Sequence, residues 1–292
     1  MADPAQSQNA TQQAFITVYR DAYLRGFEKR QTLLRDTVIT DIMRQGEQVV
    51  FLVTNSFGQR AIQRDGNGQI PSRDTRNTQI PCPINAYYDK VERTAFDIFR
   101  AQGNQLEIMR MESMEVMNRE IDYLINRALA ETPNDWGAAK AVKPEDINAV
   151  KATLETNFAG GSEVVAVVTP RFVAQLKSYR VFTSSDYRPM EMRPYAGDNV
   201  SEMFSWNGIK FIVNAEQPGT GTADAKCYMY NKRAVGHAAD MASASIDIER
   251  IPGQDATSVM CKIYMGSVLL QPSGVIAMPH NDTAPLVATG TN

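Results

Sequence analysis

Apolar residues in the first half of the chain recur mostly at helical spacing. From Phe15 to Gln45 they stand three or four positions apart, or at multiples of that, which predicts one or two helices. The same spacing predicts a helix at Tyr88–Arg100 and a longer one at about Gln105–Ala130. The long helix has one apolar stripe and places Glu115 and Arg119 four residues apart on its solvent side, where they can form an ion pair.

A strand and a very polar stretch interrupt these helices. Val49–Val53 is predicted to be a strand. Residues 55–79 contain only four apolar residues in 25, or 16%, against 43% for the whole chain. The turn dipeptides Asp65-Gly66 and Asn67-Gly68 allow this stretch to fold back as a two-stranded ribbon. An isolated hairpin is marginal in water, so the stretch is either a disordered surface loop or an arm that lies on a neighbouring subunit.

The second half of the chain alternates strands with helices. A helix is predicted to begin at Pro144, and the apolar run Val164–Val168 is typical of a strand buried on both faces. Thr169 and Pro170 suit the N-cap and first position of another helix. The stretch AVGHAADMA around His237 is predicted to be helical. Further strands are predicted at Ile209–Asn214, Cys227–Tyr230, Ala244–Arg250 paired with Val259–Met265, and Val275–Met278, followed by a loose tail from Asn281.

Composition and charge exclude several classes of protein. The net charge of −3 argues against a dedicated nucleic-acid binder, which is usually strongly basic. Three cysteines without CxxC spacing argue against a disulfide scaffold and indicate a reducing compartment. Neither a signal peptide nor an apolar run of about 20 residues is visible, so we expect no membrane association.

Motifs that carry chemistry are missing from the sequence. It contains no GxxxxGK[ST] phosphate loop, GxGxxG, HExxH or GxSxG. Asp65-Gly66-Asn67-Gly68 resembles the start of a calcium loop, but Ile70 and Arg76 stand where glycine and glutamate are required. His237 has no nucleophile near it, which favours a packing or interface role. We therefore predict no catalytic residue, no cofactor and no metal, and a protein that is not an enzyme.

A resemblance to a known family rests on the order of the elements and on six strings spread through nearly the whole chain. The strings are RQTLLRDTV (30–38), GNGQIPSR (66–73), FDIFRAQGNQLEIMRMESMEVMNREID (96–122), VVTPRF (167–172), KCYMYNKRAVGHAA (226–239) and MGSVLLQPSGVIAM (265–278). Together they resemble the major capsid protein of tailed double-stranded DNA bacteriophages. The resemblance implies the α+β Johnson fold, also called the Hong Kong 97-like fold.

The resemblance also implies a role for each segment. Residues 1–46 would be the N-terminal arm and 47–94 the extended loop, or E-loop, which reaches over an adjacent subunit. A peripheral domain with a long spine helix and a long hairpin would comprise 95–149 and 241–268. An axial α/β domain would comprise 150–240 and 269–280, and 281–292 would be the C-terminal tail.

The candidate residues for contacts between subunits are charged. They are Arg60, Arg64, Asp65, Arg73, Asp74 and Arg76 of the ribbon, and Glu115 and Arg119 of the long helix. Ion pairs with a neighbouring subunit are one interpretation, and solvated charges worth about 0–1 kcal/mol each are an equally weighted alternative. Some family members form a lysine–asparagine cross-link from the E-loop. We expect none from this loop, because no lysine lies between Lys29 and Lys90.

The partners implied are copies of the chain itself, as hexamers and pentamers of an icosahedral shell in the virion. Assembly would occur in the host bacterial cytoplasm with a separate scaffolding protein and a portal. The low net charge fits a wall that encloses double-stranded DNA without sequence-specific binding. Three alternatives remain open: an encapsulin-like nanocompartment, a two-domain α/β enzyme with a pocket near His237, and a head–tail connector.

Overall fold

The computed structural model describes residues 32–42, 46–55, 61, 76–101, 104–161, 163–179 and 203–286. These residues form eleven strands, in sheets of four, five and two strands, and four α-helices. The mixture of helices and sheets agrees with the predicted α+β class. Within this part of the chain, no helix is long and apolar enough to cross a membrane.

A four-stranded sheet is built around one long hairpin. Its strand order is β1 (Ile39–Ile42), β9 (Val235–Ile251), β10 (Ala256–Leu269) and β4 (Asn85–Thr94). The hairpin strands β9 and β10 are antiparallel, β1 is parallel to β9, and β4 is antiparallel to β10. The pairing predicted between residues 244–250 and 259–265 is confirmed, in strands longer than expected.

A five-stranded sheet forms the second layer. Its order is β11 (Val275–His280), β8 (Ala225–Asn231), β5 (Val164–Val168), β7 (Ile209–Val213) and β6 (Met203–Trp206). β5 is the central strand and all five of its residues are buried, as a strand covered on both faces requires. The helices that cover one face are α3 (Pro144–Thr156) and α4 (Pro170–Lys177).

The long helix α2 (Gln105–Ala130) joins the two larger sheets. Its C-terminal half packs Ile121, Ile125 and Leu129 into a cluster with Val165, Tyr228 and Tyr230 of the five-stranded sheet. The same cluster contains Ala239 and Met265 of the long hairpin. α2 therefore covers the second face of the five-stranded sheet and also lies along β10.

Helix starts follow the local sequence rules. The Asn104 side chain accepts a hydrogen bond from the Glu107 backbone N–H at 3.4 Å, and the Thr169 hydroxyl accepts one from the Phe172 N–H at 3.2 Å. The short helix α1 (Ala95–Arg100) begins after Thr94, whose hydroxyl accepts from the Asp97 N–H. The predicted start of α3 at Pro144 is confirmed.

Three helix predictions are wrong in the part of each that the structure tests. Within 15–45, the described residues 32–42 form a 3₁₀ turn at Arg35–Thr37 and the strand β1, and residues 15–31 and 43–45 lie outside the described part. Tyr88–Thr94 belongs to β4, and the helix there comprises only α1. The AVGHAADMA stretch belongs to β9. In each case pairing with a distant strand outweighs the local helical spacing.

Candidate assembly surfaces

The β2–β3 ribbon has two faces with different surroundings. It consists of β2 (Gln48–Asn55) and β3 (Arg76–Pro83), paired antiparallel from Gln48 opposite Pro83 to Asn55 opposite Arg76. Its inner face carries Phe51 and Cys82, which pack with Ala238 of β9 and with Leu270 in one buried cluster. The ribbon is therefore anchored to its own chain at this end.

Two glycines allow this close approach. A Cβ on Gly236 of β9 would lie 2.9 Å from the Phe51 ring, and a Cβ on Gly266 of β10 would collide with the backbone oxygen of Pro83. Real Cβ atoms do not occupy such positions, so the ribbon lies where only glycine leaves room for it.

The outer face of the ribbon carries apolar side chains that are uncovered, beside polar residues such as Gln79 opposite Leu52. Val50 is 47% exposed and Leu52 57% exposed, and Pro81, opposite Val50, is also exposed. Complete burial of a valine or leucine side chain stabilises a structure by about 1.5–3 kcal/mol. Because Val50 and Leu52 are about half exposed, a surface that covered this face would gain about 1.5–3 kcal/mol from the two together.

Two helices present further apolar side chains to solvent. No residue of α1 is buried, and its Phe96 and Phe99 are 63% and 85% exposed. The Arg100 guanidinium lies over the Phe96 ring at 5.3 Å from its centroid. On the outer side of α2, Val116 and Tyr123 stand seven residues apart, which places them on one helix face.

The predicted charged contact residues have mixed outcomes. Glu115 is 6% exposed, so its placement on the solvent side of the long helix is wrong. It shares a helix face with Ile108 and Asp122, each seven residues away and each buried.

The other predicted contact residues are only partly described. Arg119 is half-buried. Arg76 begins β3, and the structure describes its backbone only; Arg60, Arg64, Asp65, Arg73 and Asp74 lie outside the described residues. Their contacts stay predictions.

A family model described as phage capsid protein matches residues 11–282. The chain belongs to the phage capsid protein family. It is therefore a structural protein of the virion, the major capsid protein that forms the icosahedral head by self-assembly. No curated protein sequence is significantly similar to the chain.

Solved structures agree with this family in fold. A chain from Mycobacterium phage Che8 is 14% identical with a TM-score of 0.69, and the match covers 93% of this chain and 98% of that one. A chain of the capsid of cyanophage P-SCSP1u is 14% identical, with a TM-score of 0.69 and coverage of 92% and 94%. A chain of the head of Helicobacter pylori bacteriophage KHP40 is 10% identical, with a TM-score of 0.68 and coverage of 92% and 95%. The predicted Hong Kong 97-like fold is confirmed.

The capsid protein contains a buried polar cluster that sequence reasoning missed. His280 Nδ1 lies 2.7 Å from Asp282 Oδ1, and its Nε2 lies 2.9 Å from Gln175 Oε1. Asp282 also accepts hydrogen bonds from the Thr169 hydroxyl at 2.8 Å and from the Gly221 N–H at 2.8 Å. Asp282 is only 5% exposed, so the prediction of a loose tail from Asn281 is wrong for its first residues. The cluster fastens this segment to the five-stranded sheet.

Neither histidine is placed as an exposed general base. Burial lowers the pKa of His280, although hydrogen bonding to Asp282 acts in the opposite direction. His237 is 1% exposed and its Nδ1 lies 2.9 Å from the Ser267 hydroxyl. Burial, followed by the positive charge of Arg35, lowers the pKa of His237 to about 4. The packing role predicted for His237 is confirmed.

The three cysteines are buried free thiols. Burial raises the pKa of Cys82 to about 11 and that of Cys227 to about 12, which disfavours the reactive thiolate. Among the described residues, no group of His, Cys, Asp and Glu side chains could hold a metal ion.

Proposed function

We propose that this capsid protein assembles by laying the outer face of its β2–β3 ribbon on the neighbouring subunit of the shell. One observation carries the proposal: the inner face of the ribbon is anchored to its own chain, whereas Val50, Leu52 and Pro81 on the outer face are uncovered. Repeated contacts of this kind between identical subunits close into a symmetric assembly and cover surfaces that the monomer cannot cover.

The shell so formed would consist of hexamers and pentamers and would enclose double-stranded DNA. The net charge of −3 on each chain favours a container wall rather than a surface that binds phosphate groups tightly. We further propose assembly in the host bacterial cytoplasm with a scaffolding protein and a portal. That the protein has no enzymatic activity also stays a prediction.

The division into domains is part of the proposal. The E-loop would include the β2–β3 ribbon and extend over the adjacent subunit. The spine helix would be α2, and the long hairpin would be formed by β9 and β10. The proposed E-loop range of 47–94 includes β4, which pairs along β10 in the four-stranded sheet. The proposed boundary at 149 and 150 falls within α3, which packs on the five-stranded sheet.

A pair of variants at one position tests the ribbon contact. Leu52→Asp places a charge on the outer face, and Leu52→Met keeps that face apolar. Both proteins should unfold at nearly the same temperature as the parent, because Leu52 is mostly exposed. With the other head proteins of the phage, Leu52→Met should give shells in electron micrographs and Leu52→Asp should not. Equal shell yields from both would contradict the ribbon contact.

Electron microscopy of the unmodified chain, assembled together with the other head proteins of the phage, tests the proposed function itself. Closed icosahedral particles that contain DNA are expected. Particles filled with an enzyme cargo would indicate a nanocompartment, and rings would indicate a connector.

A further inference from the structure

The end of α3 contains a residue in an unfavourable backbone conformation. Phe158 has φ of 57°, in the left-handed region that bulky side chains rarely adopt. The Ala159 N–H donates to Leu154 O at 2.8 Å, and the Phe158 N–H donates to Glu155 O at 3.0 Å. This pair of bonds is the Schellman motif, in which the left-handed position is usually occupied by glycine and sometimes by asparagine.

The Phe158 side chain buries almost none of its surface against its own chain, so burial does not offset the cost of the backbone conformation. It is 98% exposed, more than any other large hydrophobic side chain in the described part of the chain. Strained conformations persist where the surrounding structure enforces them, and they are frequent at functional sites. A phenylalanine here combines backbone strain with an unburied ring, so folding of the monomer does not explain it.

The tip that carries Phe158 is held rigidly. The Asn157 side chain donates to Ser273 O at 3.2 Å, and the Asn231 side chain donates to Ala159 O at 2.8 Å. Both neighbours of Phe158 are thus tied to other elements, and the ring projects from a fixed position. A side chain on a fixed backbone loses less conformational entropy on binding than one on a mobile loop, which suits Phe158 to anchor a contact.

We infer that Phe158 is an anchor for contact with a second copy of this chain in the shell. The inference rests on the proposed assembly. The charges beside the tip favour a protein partner over nucleic acid or an anionic membrane. The described cavity beside Phe158 has Arg233 and Glu163 as its charged lining residues, and they are paired at 3.1 Å. Glu155, at the end of α3, is paired with Lys151 at 3.6 Å, so the cavity lining carries no excess of cations. Because subunits of a shell are packed side by side, another copy is the protein that most directly meets this tip.

Substitutions at Phe158 separate the contact from folding. Phe158→Gly relieves the strained backbone and removes the ring, so its melting temperature should equal or exceed that of the parent. Its shell yield, with the other head proteins present, should fall about tenfold or more, as expected for loss of a contact worth at least 1.4 kcal/mol. Phe158→Ala removes the ring without relieving the backbone, and should lower the yield similarly with a lower melting temperature than Phe158→Gly. Phe158→Tyr keeps an aromatic ring and should assemble.

The outcomes distinguish this inference from the proposed function. Parent-level shell yields from Phe158→Gly and Phe158→Ala would overturn the Phe158 contact alone. Shells that form normally but lose a second protein would also overturn it, since the anchor would then serve a decoration protein. If the parent chain forms no shells with its head proteins, the proposed function fails and the contact fails with it.

Discussion

The five-stranded sheet and the β2–β3 ribbon bury their apolar residues to very different extents. The sheet has helices on both faces, and every residue of its central strand β5 is buried. The ribbon is covered on one face only, where Phe51 is 9% exposed, while Leu52 next to it is 57% exposed. The sheet buries its apolar residues within the monomer, whereas the ribbon has uncovered apolar residues that a neighbouring subunit would bury.

The difference separates residues that stabilise the fold from residues available for assembly. Substitutions in the sheet should change the free energy of unfolding. Substitutions on the outer face of the ribbon should change assembly with little effect on that free energy. Variants in the two regions test this separation, from the largest expected change in stability to the smallest.

Phe211→Ala should lower the free energy of unfolding by about 3–5 kcal/mol. Phe211 is fully buried in the five-stranded sheet, and its ring stacks on Phe204 with centroids 5.0 Å apart. Urea unfolding followed by circular dichroism measures the change. The control is Phe99→Ala on α1, where the side chain is 85% exposed and a change within about 0.5 kcal/mol is expected. Equal losses would contradict the separation.

Lowering the pH should reduce the free energy of unfolding through His237, which lies in β9, the strand against which the ribbon packs. Its folded pKa is about 4, against an ordinary value of 6.5, so the unfolded chain binds more protons between these pH values. The free energy of unfolding should therefore fall as the pH falls from 6.5 to 4, by about 3 kcal/mol in total from this site. His237→Asn should reduce the loss between pH 7 and pH 4.5 in urea unfolding. The same loss in both proteins would refute the assignment.

Gly266→Ala should lower the free energy of unfolding by about 1–3 kcal/mol, because the added methyl group displaces the ribbon from β10. Gly253→Ala in the hairpin turn is the matched control, since no atom lies within 4 Å of its added Cβ. Thermal unfolding of the two variants measures the difference. If Gly266→Ala is as stable as Gly253→Ala, the close approach of ribbon and hairpin is not required.

Arg64→Glu and Arg73→Glu should change monomer stability by no more than about 0.5 kcal/mol. If these two arginines pair with a neighbouring subunit, both variants should nevertheless give fewer particles in sucrose gradients. Normal particle yields from both would favour the alternative of solvated charges.

The sequence predicts elements well where the local signals agree. The 26-residue helix α2 has a continuous periodic pattern and an N-cap at Asn104, and its predicted bounds are correct. Thr169 and Pro170 likewise mark the start of α4. By contrast, the alanine-rich start of β9 favours helix locally, and its strand conformation depends on pairing with β10 and β1.

The assembly surfaces were only partly predictable. The turn dipeptides within residues 55–79 allow either a two-stranded ribbon or a surface loop, and residues 56–60 and 62–75 lie outside the described part of the chain. The apolar run Val49–Val53 has no polar residue to mark which face meets solvent. Glu115 is a charged residue on a buried helix face, which helical spacing alone does not reveal. The exposure of Phe158 depends on how α3 ends, and no turn signal in the sequence places a left-handed residue there.

An electron cryomicroscopy map of the assembled head tests the central claim most directly. The account predicts that Val50, Leu52 and Pro81 of every subunit are covered by an adjacent copy, while Phe51 and Cys82 keep their contacts with Ala238 and Leu270 of their own chain. A closed shell in which the outer face of the ribbon is open to solvent would contradict it.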